Sequence, residues 1–229
     1  PVTLSGLNGT ASMILTGKTA ISAPTGVSVS ALSGSSTSVT YEAVNGAAGY
    51  EVHFSKGTSL TYTLLKAQTT LTPVVQTGLT ANTVYNYKVR AYRMAGTTKV
   101  YSAFSDVKTI TTPPSTPVLK VVSKNSDTLS LSWAAVPGAT SYEVYKDTLL
   151  LDKVSSSVLS LDVSSLSVGQ SYSFYLVALN GELRSSNSTA VSGAPVPGAV
   201  SNFKVIDIQF NGFSLDWDGV SGADHYDVF

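Results

Sequence analysis

Three times along this chain an aromatic residue is followed nine positions later by a tyrosine. The pairs are Tyr41 and Tyr50, Trp133 and Tyr142, and Trp217 and Tyr226. Each pair brackets a segment rich in small residues, with Gly46, Gly138 and Gly222 at matching places. A spacing held through three copies signals a repeated module, and a repeat sets the organisation of the whole chain.

The segments around these pairs read as β-strands. Leu129, Leu131 and Trp133 alternate with Ser130 and Ser132, and Phe213, Leu215 and Trp217 alternate with Ser214 and Asp216. Val39 to Tyr41 is a shorter counterpart. Alternation with period two gives a strand one dry and one wet face. After each corner a second strand is expected, at Tyr50 to Phe54, Tyr142 to Tyr145 and Tyr226 to Phe229. In these the tyrosine and valine point inward, while Glu51, Glu143 and Asp227 point outward. A third signal occurs twice: Leu79 precedes Tyr85, and Leu166 precedes Tyr172, each by six residues. Each tyrosine opens an alternating strand, with Tyr87, Val89 and Ala91 or Phe174, Leu176 and Ala178 on the inward face. A tyrosine there can bend its hydroxyl back to an upstream backbone group, the tyrosine corner of Greek-key sandwiches. The expected core therefore rests on Tyr41, Tyr50, Tyr85, Trp133, Tyr142, Tyr172, Trp217 and Tyr226.

Composition agrees with an all-β chain. Only 12% of the 229 residues are charged, about half the usual share, while Ser and Thr together number 61. The chain is polar without charged helical faces, and no helix-period segment of useful length occurs. Its formal net charge is zero, without a run of Lys or Arg, which argues against nucleic-acid capture. No apolar stretch is long enough to insert into a membrane. Cysteine is absent, which excludes disulfides, thiolate metal sites and cysteine nucleophiles.

Proline clusters mark the joints. Residues 23–112 form the first expected module and 113–193 the second. Residues 194–229 supply the first three strands of a third. The links at Thr111 to Pro117 and Gly193 to Gly198 are short and proline-stiffened, which predicts an extended rod. Residues 1–22 do not match a module start. Val2 to Leu4 and Ser12 to Leu15 flank Asn8-Gly9, a two-residue hairpin signal. They are read as the closing hairpin of a preceding domain or an N-terminal extension. With no leader before Pro1, and with the third module stopping at Phe229, a longer parent chain is expected, or completion of that module by another chain.

These features together resemble tandem fibronectin type III modules, of the kind found in bacterial extracellular and surface proteins or phage structural proteins. The resemblance is carried by the proline-led starts at Pro24, Pro117 and Pro195 and by the aromatic on the second strand. It also rests on the Val-x-Gly-Ala corners before Tyr142 and Tyr226, the Leu-to-Tyr corners, and the late serines Ser102, Ser105, Ser185 and Ser188. It covers residues 23 to 229. Tyr41 departs from the family's usual tryptophan but still fills the core. The resemblance implies immunoglobulin-like sandwiches of seven strands.

No residue pattern points to catalysis, a cofactor or a metal. His53 and His225 have no partner nearby in sequence for triad or metal geometry. Asp216, Asp218, Asp224 and Asp227 miss the spacing of a calcium loop and read as a polar turn. Trp133 and Trp217 could stack on sugars but fall at core positions. The tyrosines Tyr62, Tyr101 and Tyr145 are the candidates for a contact surface toward a glycan or protein ligand. Asn8-Gly-Thr10 and Asn187-Ser-Thr189 match the glycosylation sequon. No Arg-Gly-Asp tripeptide is present. The expected function is a non-catalytic structural or adhesive spacer at a bacterial surface or in a secreted protein, with neighbouring modules as its partners. The alternatives are a homo-oligomeric virion fibre or decoration component, and a linker in a carbohydrate-active enzyme.

Overall fold

The computed structural model describes the backbone of residues 2–6 and 9–13 and the whole of residues 20–229. Every regular element among them is a strand. β1 (Val2–Gly6) and β2 (Gly9–Met13) pair antiparallel with Gly6 opposite Gly9. Gly9, expected in the turn, thus lies on β2. Asn8 itself, and Leu15 of the expected second strand, lie outside the described residues.

The first sandwich contains β3 (Ser28–Ser33), β4 (Ser36–Thr40), β5 (Gly49–Lys56), β6 (Thr63–Gln68), β7 (Val74–Gln76), β8 (Val84–Ala95), β9 (Thr98–Tyr101) and β10 (Lys108–Thr111). One sheet has the order β3-β4-β7. The other runs β10-β8-β5-β6, with β9 also on β8. The second sandwich repeats the plan with β11 (Leu119–Ser123), β12 (Leu129–Trp133), β13 (Ser141–Lys146), β14 (Leu149–Ser155), β15 (Ser160–Val163), β16 (Tyr172–Asn180), β17 (Leu183–Arg184) and β18 (Val191–Gly193). Its sheets are β11-β12-β15 and β14-β13-β16-β17, with β18 also on β16. β19 (Lys204–Gln209) and β20 (Gly212–Asp216) form a separate hairpin. By compactness the chain divides into two units. One takes in Ser38–Gln76 and Tyr85–Ile110 with the chain up to Ser30; the other takes in Ala31–Thr37, Thr77–Val84 and Thr111–Phe229.

Alternation builds the interiors. Tyr50 and Val52 of β5 and Tyr85, Tyr87, Val89 and Ala91 of β8 are buried, as are Val39 and Tyr41 from the opposite sheet. In the second sandwich Leu129, Leu131 and Trp133 cluster with Tyr142, Val144, Phe174, Leu176 and Ala178. Tyr172 is half-buried against that cluster.

The nine-residue spacing has one structural cause. The Tyr50 hydroxyl accepts the Val44 N–H at 2.8 Å, Tyr142 accepts that of Val136 at 2.8 Å, and Tyr226 that of Val220 at 2.6 Å. Each tyrosine satisfies a corner amide that no strand can reach. Gly46, Gly138 and Gly222 take φ of +75°, +74° and +82° in these corners, the left-handed region where a side chain is strained. Tyr172 closes its own corner by accepting the Ser167 N–H at 3.0 Å.

The third module departs from expectation. Tyr226 to Phe229 form no strand, and Trp217 and Tyr226 are half-buried, packed on each other at 5.4 Å. Ile208, Phe210 and Phe213 are largely exposed. A hairpin pairs backbone groups on its own, but only an opposing sheet buries its side chains.

Candidate contact surface

The outer face of the first sandwich's larger sheet gathers charge and aromatic rings. Outward positions of β5 and β8 face each other in register: Gly49 with Tyr92, Glu51 with Arg90, His53 with Lys88. Glu51, expected to point outward to solvent, does lie on this face, but it is buried. Arg90 donates to its Oε2 through Nη2 at 2.7 Å and Nε at 3.0 Å. The Tyr101 hydroxyl at 2.8 Å and Lys99 Nζ at 3.3 Å donate to Oε1, and His53 Nε2 lies 3.4 Å from Oε2. Burial by itself would raise the Glu51 pKa. The hydrogen bonds from Arg90, Tyr101, Lys99 and His53 outweigh it and hold the carboxyl at about 2. Burial, first among its influences, pushes the His53 pKa down, so its ring favours the neutral form.

Aromatic rings cover the cations. The Arg90 guanidinium lies 3.7 Å from the Tyr101 ring centroid, and Lys99 Nζ lies 4.2 Å from that of Tyr92. Lys88 Nζ sits between Tyr62 at 3.9 Å and Phe104 at 4.2 Å. Each cation is drawn to the negative face of its ring. Gly49 is required here, since a Cβ would stand 2.4 Å from the Tyr92 hydroxyl.

The late serines explain how Tyr101 and Phe104 reach this face. Ser102 exchanges two hydrogen bonds with Ala91: its N–H donates to the Ala91 carbonyl and its hydroxyl accepts the Ala91 N–H, both at 2.9 Å. Ser105 does the same with Val89, at 2.8 and 3.0 Å. Stitching at every third residue replaces the ladder of a strand, and it turns the residues before each serine, Tyr101 and Phe104, to one side. Ser185 with Ala178 and Ser188 with Leu176 repeat the pattern in the second sandwich.

The second sandwich carries a related cluster. Glu143, also buried rather than solvated, accepts the Tyr145 hydroxyl at 2.8 Å and pairs with Arg184 Nη1 at 2.7 Å and Lys153 Nζ at 3.9 Å. Burial would raise its pKa, but the bonds from Tyr145 and Arg184 lower it below the ordinary value. Tyr145 stacks on Tyr175 with centroids 4.5 Å apart and planes within 6°.

Of the sequence candidates, Tyr62, Tyr101 and Tyr145 all belong to these clusters, and Tyr101 and Tyr145 direct their hydroxyls at a buried carboxylate. Trp133 is core, 6% exposed. His225 lies 3.8 Å from Asp227 on an exposed segment. Asp216 pairs with Lys204, and Asp218 accepts from Ser201 and Asn202. Among the described residues no group of three His, Cys, Asp or Glu could hold a metal ion. Lys88, Arg90, Lys99 and Phe104 were not singled out from sequence. The available signal was cross-strand register: Arg90 and Lys88 alternate with the core residues of β8 and face Glu51 and His53.

Residues 22–107 match the family model described as the fibronectin type III domain. Over these residues the chain is similar to that family, and the chain has the all-β fibronectin type III fold. Over 219 residues the chain is 30% identical to fibronectin type III domain-containing protein 7 of Homo sapiens, covering 93% of this chain and 28% of that protein. Over 187 residues it is 27% identical to exoglucanase B of Cellulomonas fimi, covering 70% of this chain and 17% of that protein. The chain thus spans less than a third of the length of these curated relatives. A two-domain fibronectin type III segment of chicken tenascin aligns with TM-score 0.43 and 18% identity, over 74% of this chain and 97% of that one.

Proposed function

We propose that this chain is a non-catalytic structural and adhesive spacer of an extracellular or cell-surface protein, holding other domains apart and offering its sheet faces for contact. The observation that supports this reading most is the repetition of one plan. In both sandwiches the outward carboxylate is closed by cationic and tyrosine donors, Glu51 by Arg90, Lys99 and Tyr101 and Glu143 by Arg184 and Tyr145. A carboxylate so closed stays ionised and has no proton to give or take near neutral pH, so it serves the sheet rather than a reaction. The aromatic edges around it suit a flat glycan or protein surface. Small-angle X-ray scattering tests the spacer: an elongated profile supports it, and a compact globular one overturns it.

A second reading places the same spacer within a carbohydrate-active enzyme. It is favoured by the likeness to a protein named exoglucanase B, which covers most of this chain and little of that protein. The intact mass and domain content of the parent chain separate the two readings. A glycoside-cleaving domain on that chain selects the second.

A further inference from the structure

At one pole of the first sandwich the alternation of β8 carries on past the core. Tyr87, Val89 and Ala91 face inward, and the next inward position is Arg93. Its Nε and Nη1 are both covered, and among the described residues they have no hydrogen-bond partner. The residue as a whole is only half-buried, and it lines an open cleft of about 790 Å³ together with Ile21, Asn45, Gly46, Ala48 and Met94. A guanidinium is charged at every accessible pH, and buried nitrogens without an acceptor are costly. Trp133 Nε1 is also buried without a partner among the described residues, but it is a neutral indole in the core, whereas an unsatisfied group that carries a charge and borders a cleft calls for a missing partner.

The repeat shows what stands at the matching pole. Counting from the shared tyrosines, Arg93 corresponds to Asn180, and Asn45 and Gly46 to Pro137 and Gly138. Both corners close alike, with Ala48 N–H on the Tyr92 carbonyl and Thr140 N–H on that of Leu179, each at 2.7 Å. Within the second compact unit that pole is filled by a turn. Asn82, at φ +50°, donates through Nδ2 to the Pro137 carbonyl at 2.6 Å, and its Oδ1 accepts from Asn180 Nδ2 at 3.2 Å. Gly138 permits the approach, since a Cβ there would stand 2.5 Å from Asn82 Nδ2. Gly46 leaves the same space, with nothing within 4 Å of its built Cβ.

We propose that the Arg93 cleft is a docking site for a turn of another protein module, and that this turn presents an aspartate or glutamate carboxylate where Asn82 presents its amide oxygen. The amide acceptor opposite Asn180 becomes a carboxylate opposite Arg93 because the donor carries a full charge. A charge-assisted bond is roughly twice as strong as a neutral one.

The test is NMR on the whole chain, following the Arg93 Nε–H and Gly46 amide signals. The probe is the five-residue peptide copying Leu79–Thr83 with Asn82→Asp. Saturable shifts at millimolar peptide are expected, with the unaltered Asn peptide about tenfold weaker. Arg93→Met should abolish the shifts while leaving the Tyr50 and Val52 amide signals in place, which shows that the fold is intact. The proposal is overturned if the Asp peptide gives no saturable shift, if the two peptides bind equally, or if the shift survives in Arg93→Met. It is also overturned if inorganic phosphate saturates the site below the peptide concentration, since the cleft would then be a small-anion site.

Discussion

At matching places in the two sandwiches, Gln76 and Tyr87 of the first answer to Val163 and Phe174 of the second. The Tyr87 hydroxyl donates to Gln76 Oε1 at 2.8 Å inside the core, where the second sandwich has only apolar contact. The outer faces differ in the same manner. Glu51 takes its main cation from Arg90, its neighbour in register on β8, whereas the residue opposite Glu143 is Val177 and the cation comes from Arg184 on β17. His53 opposite Lys88 becomes Tyr145 stacked on Tyr175. A sandwich of this plan therefore requires that a buried polar group be matched, but not that the match come from a given strand. Two changes that compensate each other leave the backbone unaltered.

The largest effect should come from the shared aromatic position. Trp133→Ala is expected to cost about 3–5 kcal/mol by opening a cavity. Most of a small domain's stability would then be gone, and hydrogen exchange should show the second sandwich opening while amides of the first keep their protection. Unchanged protection at Leu131 and Leu176 would refute the core role of Trp133.

Next comes the carboxylate pair. Glu51→Gln leaves Arg90 and Lys99 without their anion on a well-covered face, a loss of roughly 1.5–3 kcal/mol for charge-assisted bonds. Glu143→Gln should cost less, about 1 kcal/mol or below, because Arg184 and Lys153 are about half exposed. Urea denaturation of the two variants reads the difference, and equal losses would remove the contrast between the faces.

The core pair offers a sharper test. Tyr87→Phe should cost about 1–3 kcal/mol by leaving Gln76 buried without its donor. Adding Gln76→Val, which installs the second sandwich's solution, should return most of that loss. A double-mutant cycle without coupling between the two sites would mean that the hydrogen bond contributes nothing of its own.

The smallest effect is in pH dependence. Glu51 titrates near 2 in the folded chain, below its ordinary 4.5, so the folded state binds fewer protons than the unfolded one. Its contribution is present above pH 4.5 and is lost as pH falls toward 2. The lowered His53 pKa acts in the same direction, its contribution being lost on acidification below its ordinary 6.5. The melting temperature of the first sandwich should therefore fall between pH 4.5 and 2, and Glu51→Gln should flatten that fall.

Much of the fold was legible in the residues. The alternation at Leu129, Leu131 and Trp133 and at Tyr85 to Ala91 marked buried faces, and the spacing from Trp133 to Tyr142 marked a corner that the Tyr142 hydroxyl closes. The late serines were legible as positions but not in their role, since a three-residue spacing does not say that each serine exchanges bonds with β8 or β16. The candidate surface was legible only in part. Tyr62, Tyr101 and Tyr145 stood out as aromatic residues, whereas the burial of Glu51 and Glu143 was missed, because period two gives the face of a residue and not what covers it.

The sequence by itself determined the repeat, the strands and inward residues of the two sandwiches, and the glycines of the corners. These are set by neighbours within about ten positions, and steric rules and alternation act at that range. Tertiary structure alone decided which donors close each carboxylate, how Lys88 comes to lie between Tyr62 and Phe104, and why Arg93 Nε and Nη1 have no acceptor among the described residues. Glu51 and Tyr101 stand 50 residues apart in the chain, and only the pairing of β5, β8 and β9 brings them within 2.8 Å. Such contacts depend on strand order and register, which follow from the packing of whole sheets rather than from any local run of residues.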